Sequence, residues 1–174
     1  MARIKVGVLR GGPSSEYDVS LKTGAAVLKN LPDTYEPADI FIDKVGVGKG
    51  AYDRLAEQLR NVVGVNAGEE PSDKSRFANL RAEMYWRTRE WIIAGGKLEK
   101  DDDWYQLTQI KYKTDSYGRL KIISKEELLR HGIDSPDVSD SCALTFAKKE
   151  NYPANSYSDT DYEYPEPIDD DPYF

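Results

Sequence analysis

Three short apolar runs in the first 65 residues restrict what this chain of 174 residues can fold into. Residues 3–9 alternate and are rich in β-branched side chains, residues 37–43 end in Ile-Phe-Ile-Asp, and Val62–Val65 form the third run. Each run predicts a strand, and the intervening segments predict helices over 16–30 and near 50–60. Two strands joined through a right-handed crossover lie parallel. We therefore expect an α/β domain that begins with parallel strands.

The second half of the chain predicts helices around a β-hairpin. Asp73 is expected to cap a long helix over 74–93, and Gly95-Gly96 to end it. A hairpin, a short helix and a last helix that begins at Pro136 follow. Their predicted bounds are 107–113 and 119–123 for the strands around a turn at 115–118, 125–132 for the short helix, and 136–148 for the last helix. Together the elements predict a mixed sheet with helices on both faces, in a single domain over residues 1–150.

Single cysteine and histidine residues exclude several kinds of site. Cys142 and His131 are the only ones of their types, so an internal disulfide, a thiolate zinc cluster and a two-histidine metal motif are excluded. We expect Cys142 to be buried in helix packing and His131 to have no catalytic role. No apolar run reaches membrane-spanning length, and the N-terminus lacks a signal-peptide pattern. We expect a protein of the reducing cytoplasm with no membrane partner.

The net charge of −7 comes from the C-terminal residues 151–174. This acidic tail holds seven acids and no Lys or Arg, with five Tyr and four Pro. Outside the tail the acids equal the 24 Lys and Arg, so the rest of the chain is neutral. A segment of this composition has little apolar surface to bury, and we expect it to be disordered.

Acidic residues at two distant places indicate a metal site. Asp43 closes the second predicted strand, and Asp137 and Asp140 open the last predicted helix. Hard cations such as Mg²⁺ take carboxylate oxygens and keep open positions for phosphate. Each acid also has an ordinary structural use, because aspartate caps turns and favours helix N-termini. The apolar residues within 143–147 would dock the last helix on the sheet and carry Asp137 toward Asp43.

The predicted hairpin has one cationic face. Alternate residues of a strand lie on the same side, so Lys111 and Lys113 share a face, as do Arg119 and Lys121. The opposite face carries apolar side chains, which are Ile110, Tyr112, Leu120 and Ile122. Such a cationic surface suits the phosphate backbone of nucleic acid. The plainer interpretation is a half-buried hairpin with a solvated lysine face.

Five stretches between Asp43 and Ala147 occur in the order and spacing of a known family. They are residues 43–55, 63–69, 76–86, 106–113 and 135–147. Together they resemble the C-terminal nuclease domain of phage terminase large subunits. The resemblance implies a ribonuclease H-like fold and cleavage of DNA during packaging with two Mg²⁺ or Mn²⁺ ions. The partners it implies are DNA and possible contacts with the phage portal or the small terminase subunit, in a bacterial host cytoplasm.

The same resemblance assigns roles to individual residues. Asp43 corresponds to the acid of the central strand and Asp137 to the acid of the last helix, with Asp140 as a weaker third metal ligand. The hairpin of that family is thought to lie near DNA. The resemblance therefore strengthens the interpretation of the hairpin cations as DNA-binding residues.

The first 44 residues resemble a different family. The segments 4–16, 19–24 and 40–44 are similar to the N-terminal domain of D-alanine–D-alanine ligases. Glu16 matches the acid that in those enzymes helps to hold the first D-alanine. We expect no ligase activity from this segment, because the ATP-grasp domains of that family have no counterpart in the sequence.

The chain thus has the pattern of a composite, with ligase-like residues 1–44 joined at the second strand to terminase-like residues 43–147. In the terminase family the first strand carries a metal-binding aspartate, and here Leu9 stands near that position. We therefore expect a partial or impaired nuclease. The alternatives are a DNA- or portal-binding module without catalysis, a ligase-derived fragment, and a stable domain with no evolved function.

Overall fold

The computed structural model of the chain describes residues 39–45, 61–98 and 100–148, the backbone of residues 6–8, and five separate residues between 49 and 57. Leu9, Glu16, the predicted helix over 16–30 and the acidic tail lie outside the described residues. The five separate residues are Lys49, Tyr52, Asp53, Ala56 and Glu57, and all are helical. They agree with the helix predicted near 50–60.

Three parallel strands form the N-terminal sheet in the order β1-β2-β3. They are β1 (Val6–Val8), β2 (Ile40–Asp43) and β3 (Val62–Val65). The central strand β2 is an unbroken apolar run, and its first three residues are buried. Such a run is typical of a parallel strand that is covered on both faces. The predicted parallel arrangement of the first two strands is therefore confirmed.

The long helix α1 (Leu80–Ile93) begins later than predicted. Its N-cap is Asn79, whose side chain accepts a hydrogen bond from the backbone N–H of Ala82 at 3.0 Å. Asp73 instead closes a turn by accepting from the backbone of Ser75 and Arg76. The predicted start at 74 was wrong because the intervening backbone pairs with the hairpin, where Ala78 N–H donates to the Leu120 carbonyl at 2.9 Å.

The end of α1 agrees with the prediction at the double glycine. Gly95 adopts a φ of 90°, a left-handed conformation that glycine enters without the penalty of a side chain. The N–H groups of Gly95 and Gly96 donate to the carbonyls of Ile92 and Trp91. This pair of hydrogen bonds is a Schellman motif, which satisfies carbonyls that the helix leaves open.

The hairpin is shorter than predicted. Its strands are β4 (Tyr112–Thr114) and β5 (Leu120–Ile122), which pair with each other as a separate two-stranded sheet. Residues predicted to extend the first strand form the short helix α2 (Gln106–Gln109), which continues a 3-10 turn over Asp102–Tyr105. The α/β class with mixed strand directions is confirmed, although its strands are divided between two sheets.

Two helices complete the described chain. The first, α3 (Lys125–Arg130), begins at Lys125 and ends before Gly132, as predicted. Its N-cap is Ser124. The second, α4 (Asp137–Leu144), begins after Pro136 as predicted but ends four residues before the predicted 148. Beyond Leu144 the N–H groups of Thr145, Phe146 and Ala147 bond to carbonyls three residues earlier, so the chain tightens into turns.

The core lies between the N-terminal sheet, α1 and α4. Seven consecutive residues of α1, from Ala82 to Thr88, are buried, so the helix is enclosed on nearly every side instead of showing one apolar face. Ala143 and Leu144 of α4 pack into the same cluster as Phe41. Burial on all sides forces α1 to pair its polar residues internally. None of the helices in the described part of the chain is long and apolar enough to cross a bilayer.

Candidate metal centre and cationic hairpin

Asp43 lies at the carboxyl end of the central strand β2. Its Oδ1 accepts a hydrogen bond from the Val45 backbone at 2.9 Å, and the residue is partly exposed. The neighbouring Lys44 pairs with Glu69 at 2.9 Å, which brings a second carboxylate to the same edge. Ligands of open parallel sheets bind outside the carboxyl ends of the strands. Asp43 is therefore at an edge where a ligand could bind.

The helix α4 packs on the N-terminal sheet. It contacts both β1 and β2. After the helix, Lys148 Nζ lies 3.1 Å from Oδ1 of Asp39, at the start of β2. The residues that follow α4 therefore lie near the start of β2, and Asp137 lies at the opposite end of α4. The predicted docking of the last helix is confirmed.

Asp137 is exposed at the start of α4. Its side chain is 55% exposed, and its Oδ1 accepts a hydrogen bond from the Ser135 hydroxyl at 2.7 Å. Lys125 Nζ lies 3.8 Å from the same oxygen. The carboxylate is therefore accessible to solvent, and its contacts are with side chains that can move.

Asp140 is buried one turn further along α4. Its Oδ1 accepts hydrogen bonds from the Tyr85 hydroxyl at 2.6 Å and the Arg81 guanidinium at 3.3 Å, and its Oδ2 lies 2.7 Å from Lys125 Nζ. Burial, reinforced by the Asp140 charge, raises the pKa of Tyr85 well above its ordinary range. Tyr85 consequently stays protonated and donates a hydrogen bond to Asp140. Both oxygens of Asp140 have protein partners, which identifies it as an anchor of α4.

Lys125 joins the two carboxylates of α4. Its ammonium contacts Asp140 closely and Asp137 at longer range, so these two predicted site residues are brought to a common cation. Of these two carboxylates only Asp137 is accessible to solvent, and Mg²⁺ commonly takes one or two carboxylates and keeps waters. In the described part of the chain, no group of three or more acidic, cysteine or histidine side chains could hold a metal.

The hairpin presents its cations on one side, as predicted. Lys111, Lys113 and Lys121 are exposed, whereas Ile122 on the opposite face is buried. Lys113 and Lys121 stand directly opposite each other in the strand register. The alternation of the two faces is therefore confirmed, and the short strands still produce a cationic surface.

Lys113 and Arg119 of the hairpin have acidic partners. Lys113 Nζ lies 2.9 Å from Glu127, and Arg119 lies 2.7 Å from Asp115. The hydrogen bond from Arg119 lowers the pKa of Asp115, and the hydrogen bond from Lys113 lowers the pKa of Glu127. Asp115 also accepts from the backbone of Tyr117 and Arg119, which fixes the turn. The effective positive charge of the surface is therefore smaller than its four cations indicate.

Sequence reasoning missed the residues that surround the predicted acids. Lys125, Arg81 and Tyr85 all contact Asp140, although Arg81 is 59 residues away in the chain. Glu69 reaches the Asp43 edge through Lys44. No local sequence pattern predicts such partners, because they meet only when α1, α3 and α4 pack together. Cys142 is partly buried, and burial raises its thiol pKa to about 11, in agreement with a packing role.

The described elements form a mixed α/β domain, and solved terminase nuclease domains share its fold. The nuclease domain of the large terminase subunit gp2 of bacterial virus Sf6 superposes with a TM-score of 0.54, at 18% identity over 75% of this chain and 70% of that one. A single-residue variant of that domain with manganese superposes with a TM-score of 0.55 at 17% identity, over 75% of this chain and 71% of that one. The same variant with calcium also superposes with a TM-score of 0.55 at 17% identity, over 75% of this chain and 70% of that one. At this identity the likeness establishes the fold.

A second comparison concerns a short part of the sequence. Over 58 residues the chain is 45% identical to the vancomycin/teicoplanin A-type resistance protein VanA of Enterococcus faecium. The match covers 33% of this chain and only 17% of VanA. No family model matches the chain.

Proposed function

We propose that this chain is a terminase-type nuclease domain that hydrolyses DNA phosphodiester bonds with a divalent metal, in an impaired form. One observation carries the proposal. The helix α4, which carries Asp137 in its first turn, packs on the sheet whose central strand ends at Asp43, in a fold that solved terminase nuclease domains share. The Sf6 domains of like fold were obtained with manganese and with calcium, which supports a divalent ion at the corresponding edge here.

Each part of the candidate site has a chemical role in this proposal. Asp43 and Asp137 would hold one or two Mg²⁺ or Mn²⁺ ions, and Asp140 would supply a third oxygen or orient α4. A bound metal polarises the phosphate and activates water. Lys125 neutralises the α4 carboxylates and must release Asp137 when a divalent cation binds. The hairpin cations would hold the DNA backbone.

Impairment is expected from the first strand. The sequence has Leu9 where the terminase resemblance implies an aspartate, and Glu16 follows seven residues later, after the glycines and serines of 11–15. A site with fewer carboxylates holds metal less tightly, because each ligand contributes both charge and coordination. We therefore expect slow or no cleavage with Mg²⁺.

Nicking of supercoiled plasmid in Mn²⁺ is the direct test. The expected result is slow nicking that Asp137→Ala and Asp43→Ala each abolish. Asp134→Ala is the matched control, because Asp134 is an exposed acid three residues before Asp137 and should leave the rate unchanged. Nicking that survives Asp137→Ala would mean that the activity belongs to a contaminant, and the proposal would fail.

A second candidate is a DNA-binding module without catalysis, which the exposed lysines of the hairpin favour. Binding through DNA phosphates weakens as salt is added. The logarithm of the association constant falls with the logarithm of the salt concentration, with a slope of about −0.9 for each phosphate contacted. Lys111→Ala with Lys121→Ala should flatten this slope, while Lys97→Ala with Lys100→Ala, at exposed positions outside the hairpin, should not. A DNA affinity that does not change with salt concentration at low ionic strength would exclude this candidate. A portal or small-terminase partner for the tail belongs to the same class of function.

The short likeness to VanA supports a ligase-like origin for part of the chain. The chain covers only 17% of that protein, and ligase activity is not proposed. If residues 1–44 retained such activity, D-alanine would stimulate ATP hydrolysis, and we expect none. D-alanine-dependent ATP hydrolysis would make the ligase-derived fragment the better description.

A further inference from the structure

An apolar pocket of about 280 Å³ lies on the side of α1 that faces the hairpin, and its lining includes Tyr85, the tyrosine that donates to Asp140. Its walls come from α1, α2 and the apolar face of the hairpin, with Trp86, Ile92 and Tyr112 among them. Small-molecule pockets range from about 300 to 1,000 Å³. The pocket is therefore small for a cofactor and has the size for one or two side chains.

The rim of the pocket combines exposed apolar surface with positive charge. Ile92 and Ile93 are each 39% exposed at the end of α1. Arg89 is a lining residue, and its guanidinium carbon lies 5.0 Å from the centre of the Trp86 ring. Lys111 is exposed between two lining residues of the hairpin. An occupant with an aromatic ring and neighbouring acids would match both features.

The described chain ends beside this helix. The centres of the Phe146 ring and the Trp91 ring on α1 lie 5.6 Å apart, and Arg87 donates a hydrogen bond to the Phe146 carbonyl. The last described residues therefore lie against α1, the helix that supplies one wall of the pocket. Thirteen residues, 149–161, separate Lys148 from Tyr162. At about 3.3 Å for each residue, that length can span tens of ångströms.

One segment of the tail has the composition that the pocket requires. Residues 159–166 read Asp-Thr-Asp-Tyr-Glu-Tyr-Pro-Glu, so Tyr162 and Tyr164 alternate with acids. A tyrosine buries a large ring while its hydroxyl stays at a wet edge. In contrast, no acid is adjacent to Tyr157. The segment 159–166 thus matches the apolar walls with its rings and the cationic rim with its carboxylates.

We propose that the acidic tail folds back on its own domain and inserts Tyr162 or Tyr164 into the pocket between α1 and the hairpin. A tethered segment acts at an effective concentration of about millimolar, so even weak contacts produce a populated docked state. The docked segment would also place negative charge beside the hairpin lysines. This inference is independent of nuclease activity.

A fluorescent anionic probe, 1-anilinonaphthalene-8-sulfonate, tests the docking on the full chain, because it also combines apolar rings with a negative charge. Tyr162→Ser with Tyr164→Ser should raise probe fluorescence several-fold over the unmodified chain. Tyr157→Ser is the matched control and should leave the fluorescence unchanged. Adding Ile92→Asp to the double variant should remove the increase, since it places a carboxylate in the pocket wall.

Equal probe fluorescence in the unmodified chain and the double variant would overturn the proposal, as would an increase that survives Ile92→Asp. Far-ultraviolet circular dichroism identifies variants that unfold, which also bind the probe. Sedimentation at several concentrations tests a second copy of the chain as the occupant. A dimer that persists in the double tyrosine variant and dissociates with Ile92→Asp would also overturn tail docking.

Discussion

The helix α1 holds the two ends of α4 with two charge clusters of different construction. The closed cluster consists of Glu83, Arg87 and Ser72, where Arg87 donates to the Phe146 carbonyl after α4. The open cluster consists of Arg81, Tyr85, Lys125 and the α4 acids Asp137 and Asp140. Both use residues four apart on one helix, yet only the open cluster reaches solvent.

The difference lies in how completely each cluster satisfies its charges. Glu83 and Arg87 are 3% and 8% exposed, and they pair at 2.6 Å with Ser72 bonded to both. A buried pair of this kind has no capacity left for a ligand. In the open cluster Lys125 and Asp137 are about half exposed, so another cation can replace the ammonium. The closed cluster therefore fixes the helix, and the open one leaves a site for exchange.

The closed cluster should show the largest response to mutation. Glu83→Ala leaves Arg87 buried without its carboxylate, and breaking a buried pair costs about 3–5 kcal/mol of the free energy of unfolding. Urea denaturation measures the loss. Glu70→Ala is the control, since Glu70 forms an exposed pair with Lys74 and its loss should change stability by less than about 1 kcal/mol. Equal effects of the two substitutions would mean that the closed cluster has no special role.

At the open cluster, Asp140→Asn should lower the free energy of unfolding by about 2 kcal/mol. The substitution keeps the shape but weakens hydrogen bonds that a charged acceptor makes with Tyr85 and Arg81, and such bonds contribute about 1.5–3 kcal/mol. Asp137→Asn, at an exposed position, should change stability by at most about 0.5 kcal/mol. A larger loss from Asp137→Asn than from Asp140→Asn would reverse the assignment of anchor and accessible ligand.

Cation exchange at the open cluster predicts a smaller effect. Lys125→Met removes the ammonium that competes for the α4 carboxylates, so the dissociation constant for Mn²⁺ should fall several-fold in titration calorimetry. Lys121→Met, on the hairpin, is the control for the loss of one positive charge and should have little effect. Unchanged Mn²⁺ affinity in the Lys125 variant would contradict exchange at this position.

The smallest expected change concerns the thiol on α4. Burial raises the pKa of Cys142 to about 11, so the native thiol is protonated at pH 8 and labelling requires local opening. Asp140→Asn should speed labelling several-fold because it loosens α4. Asp137→Asn should change the rate by less than about twofold. Similar acceleration by both substitutions would mean that the two acids hold α4 equally.

Local patterns in the sequence predicted the elements that depend on nearby residues. The parallel strands, the end of α1 at Gly95, the start of α3 at Lys125 and the two faces of the hairpin are all confirmed. These features follow from side-chain alternation, glycine conformation and capping, which act within a few residues. The start of α1 was wrong because residues 76–78 bond to β5, a partner more than forty residues away.

The sequence by itself determined which acids stand at the end of β2 and the start of α4, because apolar runs and capping residues set those boundaries. Only the tertiary structure decided what surrounds them. Asp137 and Asp140 look alike in the chain, yet one is exposed and the other is bound on both oxygens. Burial and charge pairing depend on how α1, α3 and α4 pack, and no short stretch of sequence contains that information.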